Sequence, residues 1–154
     1  MLPPHHIGYW LSRAARAVGA AAAEVLRVRC TALGKPYVVT PPQWGVLVSL
    51  AANGAQTISS LGQVLAVETP AITALVTRLE QHGLLERVHD YDDRRVVNVS
   101  LTAEGRRLVR SLMPAMADLN ARLLPAEQAP AFTAQLQGLL ARASSAWHSA
   151  AYDP

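Results

Sequence analysis

Apolar residues recur along most of this chain at intervals of three and four. Between 7 and 30 they fall at Ile7, Trp10, Ala14, Val18, Ala21 and Val25, the stripe of a long amphipathic helix. Gly34-Lys35-Pro36 breaks it. Thr40-Pro41-Pro42 then predicts a cap and a first helical turn, opening a second helix with Trp44, Leu47, Val48 and Ala51 as its buried side and Asn53-Gly54 as its end. Thr57 caps a short third helix, 58–65, with Leu61, Val64 and Leu65 inward. In the fourth, Thr69 is the expected N-cap and Pro70 the first helical residue. Ile72, Leu75, Val76 and Leu79 follow the i, i+3, i+4, i+7 pattern, and Gly83 suits the C-terminal cap.

At residue 84 the period changes. Leu84–His89 reads as a strand and Val96–Leu101 as its partner, with Val97, Val99 and Leu101 toward the core and Asn98 and Ser100 toward water. Helical spacing resumes over 102–124 at Leu108, Leu112, Met116, Leu119 and Leu123, with Pro114 inside and Pro125 at the end. A last helix, about 126–148, carries Phe132, Leu136, Leu139, Leu140, Ala143 and Trp147. Four helices, a hairpin and two helices predict a mainly α fold with a small β-hairpin wing. This is a winged helix-turn-helix, in which the second helix of the pair enters the DNA major groove. The expected organisation is one domain, 1–154, with the winged lobe at 40–101 flanked by helices 7–30 and 102–148. The flanking stripes are too extended for a lone lobe of this size. They are expected to interleave with those of a second copy, setting two reading helices about 34 Å apart.

Composition narrows the classes. Apolar residues make up 51% of 154, enough for a core. The single cysteine, Cys30, excludes an internal disulfide and a multi-cysteine zinc site. The longest apolar run, residues 17–23, is far short of the ~20 residues that span a bilayer. Arg13 and Arg16 interrupt any leader-like stretch, so a cytoplasmic protein without a membrane partner is expected. No nucleophile motif, P-loop or GxGxxG occurs, and His5, His6, His82, His89 and His148 lack metal-ligand spacing. No enzyme activity, metal or cofactor is expected.

Three stretches carry a resemblance: TPPQWGVLVSLA, ISSLGQVLAVETPAITALVTRLEQHGLLERV and DYDDRRVVNVSLTAEG. They resemble the consecutive blocks of the MarR-type bacterial transcription regulators. Asp93-Arg94-Arg95 followed by a strand and Leu101-Thr102-x-x-Gly105 is the most specific part. The resemblance implies a homodimer on a short palindromic operator in double-stranded DNA, often a repressor and often released by a small ligand. It marks Arg94 as the residue inserted by the wing and Arg95 as the second basic residue of the signature. A permanently charged, weakly hydrated arginine suits the negative potential of a narrow minor groove. Asp93 would brace a neighbouring arginine.

On the fourth helix Thr69, Thr73 and Thr77 step by four, and Arg78 could reach a phosphate or a guanine. Ala74 stands where many relatives have a basic residue, so the wing and phosphate contacts should matter more. Thr40, Gln43, Thr57, Ser59, Ser60 and Gln63, near helix N-termini, are candidate phosphate contacts, though plain capping accounts equally well for each. Between 78 and 107 six basic residues meet six acids, so that region has no net charge and geometry must carry binding. The family's ligand crevice implies Trp10, Arg13, Tyr37 and Trp44, with His5 or His6, as a site for an aromatic carboxylate or phenolic effector; aromatic core packing with a solvated arginine is the plainer alternative. Two other readings stay open. The winged dimer could be a protein-interaction scaffold that does not read DNA, or Cys30, after Arg27 and Arg29, could be a redox sensor.

Overall fold

The computed structural model describes residues 6–89 and 96–150, with side chains through 143. The elements run α1 (Ile7–Ala32), α2 (Pro41–Asn53), β1 (Gln56–Thr57), α3 (Ile58–Leu65), α4 (Thr69–Gln81), β2 (Leu85–His89), β3 (Val97–Leu101), α5 (Ala103–Leu123) and α6 (Ala129–Ala150). The six predicted helices and both predicted strands are present. The small sheet has one more member than expected: β1 pairs with β3, giving the order β1-β3-β2, all antiparallel. The register sets Leu85 opposite Leu101 and Arg87 opposite Val99.

The chain forms two compact units, 1–117 and 118–154. In the first, α2 packs on α3, α4 and β3. Leu26, Leu47, Leu61, Ile72, Leu79, Leu84, Leu108 and Leu112 are fully enclosed at its centre. In the second, Gln128 and Ala129 N–H bond to the Pro125 carbonyl, so α6 opens at Ala129 and not at 126.

Several predicted faces are rotated. On α2 the buried set is Gln43, Val46, Leu47, Ser49 and Leu50. Trp44 and Val48 are half-buried and Ala51 is exposed. A polar residue could move inward because its amide is satisfied: Gln43 Oε1 accepts the Thr40 N–H at 2.9 Å and the Thr40 hydroxyl at 3.2 Å, closing a capping box. Buried Gln56 is held likewise, its amide donating to Ser49 O at 3.2 Å and Ser49 Oγ at 3.1 Å. On α1 the buried line is Ala22, Leu26 and Cys30, beside the predicted stripe. Ile7, Trp10 and Val18 are 61%, 47% and 42% exposed, since nothing among the described residues covers them. Val64, expected inward, is exposed, and so are Leu123, Phe132, Leu136 and Leu140 on the stripes expected to meet a second copy.

The junction of α4, β2 and α5 is closely tied. Gly83 takes φ +70°, as its predicted cap role requires. The N–H groups of Gly83 and Leu84 bond back to Glu80 O at 2.8 Å and Leu79 O at 2.9 Å, a Schellman ending sealed by the buried pair Leu79 and Leu84. The Thr102 hydroxyl donates to Gly83 O at 2.7 Å and accepts the Gly105 N–H at 3.0 Å, so it caps α5 while holding the end of α4.

Candidate nucleic-acid interface

The chain turns through 111° between α3 and α4. The turn is made by Ala66 in the left-handed region (φ 52°), with its N–H on Gln63 O and the Val67 N–H on Gly62 O. A Cβ at Gly62 would meet Val67 O at 2.9 Å, so only glycine lets the turn fold back this closely on α3. Thr57 caps α3 by accepting the Ser60 N–H at 3.1 Å. Two helices joined by a short turn at this angle form a helix-turn-helix.

α4 buries Ile72, Val76 and Leu79, while Leu75 is half-buried. Its N-cap is Glu68 and not Thr69, which is the first helical residue, and no side chain bonds to that cap. Opposite the buried line, Pro70, Ala74, Thr77 and Gln81 form an exposed stripe at steps of four, three and four, with Arg78 exposed beside it. The structure thus leaves Thr77 and Arg78 outward as the sequence predicts. It places Thr69 and Thr73 on the shoulder of the helix. The Thr73 hydroxyl is already committed to Thr69 O at 2.8 Å. Gln81 escaped the sequence reading, although its spacing from Thr77 and Ala74 could have revealed it. Among the described residues the Arg78 side chain has no hydrogen-bond or ion-pair partner, so its charge is available.

Of the helix N-terminal candidates, Ser59 and Gln63 are exposed on α3. Ser60 is half-buried, with its hydroxyl near Gln56 Oε1 at 3.5 Å. Thr57 and the Thr40–Gln43 pair work as caps, and Gln43 is buried away from any ligand. Asp93, Arg94 and Arg95 lie outside the described residues. At the wing's base, Arg87 Nε donates to both carboxylate oxygens of Glu80, at 2.9 and 3.1 Å, tying β2 to α4.

The four aromatic and basic effector candidates fall into separate places. Trp10 and Arg13 form one cluster with Tyr9. The guanidinium carbon lies 5.6 Å from the Trp10 ring and 5.7 Å from the Tyr9 ring, and the two rings meet edge to face at 5.4 Å. Tyr37 stacks on His82 at 4.3 Å, and burial pushes its phenol above the ordinary value. Trp44 stands half-buried on α2. Cys30 is buried. Nearby, Lys35 and Arg107 both reach Glu104. The hydrogen bond from Lys35, then that from Arg107, holds this carboxyl below the usual carboxylate range.

A helix-turn-helix followed by a β-hairpin that β1 extends to three strands, with two helices before and two after, defines a winged-helix protein. The sequence signature of the MarR family matches residues 39–97. The chain belongs to that family. It is 43% identical over 67 residues to the HTH-type transcriptional repressor MdtR of Bacillus subtilis, covering 44% of this chain and 43% of that protein. The chain spans about half the length of the curated relatives it matches. The fold extends the likeness. A probable transcriptional regulator from Pseudomonas aeruginosa is 30% identical with a TM-score of 0.70, over 90% of this chain and 96% of that one. Bordetella bronchiseptica BpsR, whose structure concerns regulation of its DNA binding by 6-hydroxynicotinic acid, is 25% identical with a TM-score of 0.72, over 88% and 98%. Among the described residues no single helix is long and apolar enough to cross a membrane.

Proposed function

We propose that the protein is a homodimeric, sequence-specific DNA-binding regulator of the cytoplasm. It represses transcription from a palindromic operator and is released by a small aromatic carboxylate or phenolic effector. The observation that carries this reading is the exposed stripe of α4 with Arg78 beside it, unpaired among the described residues, on a helix anchored by Ile72, Val76 and Leu79. Thr77 and Gln81 supply the groups able to read base edges, and Pro70 and Ala74 offer apolar surface for a thymine methyl. Arg78, Ser59 and Gln63 serve phosphates. Arg94 and Arg95, braced by Asp93, serve the minor groove. Thr69 contributes as a flanking polar contact. Thr40, Thr73 and Ser60 act first as supports, given their internal bonds.

The dimer rests on the uncovered apolar surface of α1, α5 and α6, at Trp10, Val18, Leu123, Phe132 and Leu140. The effector reading rests on the Trp10–Arg13 cluster, from which Tyr37 and Trp44 stand apart, and on BpsR, a relative controlled by an aromatic acid. The scaffold and Cys30-sensor readings gain no comparable support, since the matched relatives are named as regulators and Cys30 is enclosed.

The test is selection of duplexes from a random library, then anisotropy titration over a salt series. A palindromic consensus and a steep linear fall of log K with log salt are expected, about 0.9 per phosphate neutralised. Failure to enrich any duplex, or salt-independent binding, would refute the reading.

A further inference from the structure

Glu68 stands directly ahead of α4, at its N-cap, and is exposed. Its carboxylate makes no capping bond, and among the described residues it has no ion-pair partner. Glu24, Glu80 and Glu104, by contrast, are each held by an arginine or a lysine.

The start of α4 is a poor seat for a phosphate. Helix N-termini ordinarily attract anions through free amides. Here Pro70 has no N–H, and Ala71 and Ile72 donate theirs to Glu68 O at 3.0 and 3.1 Å. No residue from Glu68 to Thr77 is cationic. Arg78, the first cation of the helix, lies about 15 Å further along its axis at 1.5 Å per residue. An unpaired acid at this end therefore lowers affinity for any duplex unless a donor on the bases meets it.

The N-terminal residues of the second helix in a helix-turn-helix meet base edges. A carboxylate only accepts hydrogen bonds. In the major groove guanine presents N7 and O6 and thymine presents O4, all acceptors that repel it. Adenine sets the N7 acceptor beside its N6 amino group, whereas cytosine offers the N4 amino group with no acceptor of its own beside it. We infer that Glu68 is a specificity-determining residue: it accepts a hydrogen bond from cytosine N4 in each half-site and penalises every other base there, while weakening attachment to DNA at large. This inference rests on the DNA-binding reading of α4 and adds to it a residue whose charge has the wrong sign for phosphate.

Duplexes are selected from a random library with the full-length wild type, Glu68→Ala and Glu68→Gln, and affinities are then read by anisotropy. The wild type is expected to require C·G at one position of each half-site, and any other pair there should weaken binding about fivefold or more. Glu68→Ala should flatten that position to within about twofold and bind a random-sequence duplex more tightly than the wild type, because a repelling charge is gone. Glu68→Gln should move the preference to adenine, whose N6 and N7 suit a glutamine amide, a change that a merely structural residue would not produce. A wild type that enriches a consensus which both variants keep overturns this inference alone. A wild type that enriches no duplex overturns the DNA-binding reading with it.

Discussion

Replacing Gly105 with alanine is expected to destabilise the fold, although glycine-to-alanine changes in open helices usually do the reverse. A Cβ at this position would lie 2.2 Å from Leu84 O and 3.1 Å from both the Leu84 carbonyl carbon and Leu101 Cδ2. The nearest atom is backbone, so no rotamer change relieves the clash. That oxygen also accepts the Thr102 N–H at 3.1 Å, so displacing it weakens the bond at the start of α5. Overpacking costs about 1–3 kcal/mol and a weakened hydrogen bond about 0.5–1.5, while helix propensity returns at most about 1. The net is a loss of roughly 1–3 kcal/mol. The control is Gly19→Ala in α1, where nothing lies within 4 Å of the added Cβ and a gain of up to about 1 kcal/mol is expected. Urea unfolding followed by circular dichroism measures both, at one fixed protein concentration because self-association shifts apparent stability. A Gly105→Ala protein as stable as the wild type would refute the argument, as would a Gly19→Ala protein that loses as much.

Leu79→Ala should cost about 2–5 kcal/mol in the same urea assay, because Leu79 is fully buried beneath α4. Thr57→Ala removes the cap on α3 and should cost about 1 kcal/mol there too. Because the folded-state carboxyl of Glu104 sits below its unfolded value, its contribution is present above the ordinary carboxylate range and is lost as pH falls through the folded value. Stability measured from pH 6 down to 3 should therefore fall less steeply in Glu104→Gln than in the wild type. Arg78→Ala should lower duplex affinity and reduce the slope of log K against log salt by about 0.9, as one phosphate contact requires; an unchanged slope would remove Arg78 from the interface.

The elements were readable wherever spacing and punctuation agreed. α4 shows this best: Ile72, Val76 and Leu79 set its inner face, and Gly83 ends it in the expected conformation. On α2 the pattern was right but one residue out of phase. A buried glutamine looks wrong until its bond to Thr40 is seen, and periodicity alone then favours Trp44. β1 is two residues long, too short for alternation to appear, and it exists only because β3 is beside it. The α1 stripe was correctly read as apolar, but a chain in isolation does not cover it. Side chains that converge from distant stretches were invisible: Arg106 and Arg110 face residues 50–55 across about a third of the sequence. Thr69, Thr73 and Thr77 looked equivalent by spacing, yet a hydroxyl bonded to its own helix cannot serve as Thr77 can.

The hydroxyl of Thr102 gives the two ends of α4 unequal mechanical support. The trailing end is stitched to α5 by side-chain bonds and backed by the Glu80–Arg87 pair, whereas the leading end at Thr69-Pro70 hangs on main-chain bonds from a strained alanine turn. On the proposed reading, α4 therefore meets DNA with a stiff heel and a yielding toe. A rotation of α5 would pass into the heel without slack, and the toe could still settle onto bases of differing shape.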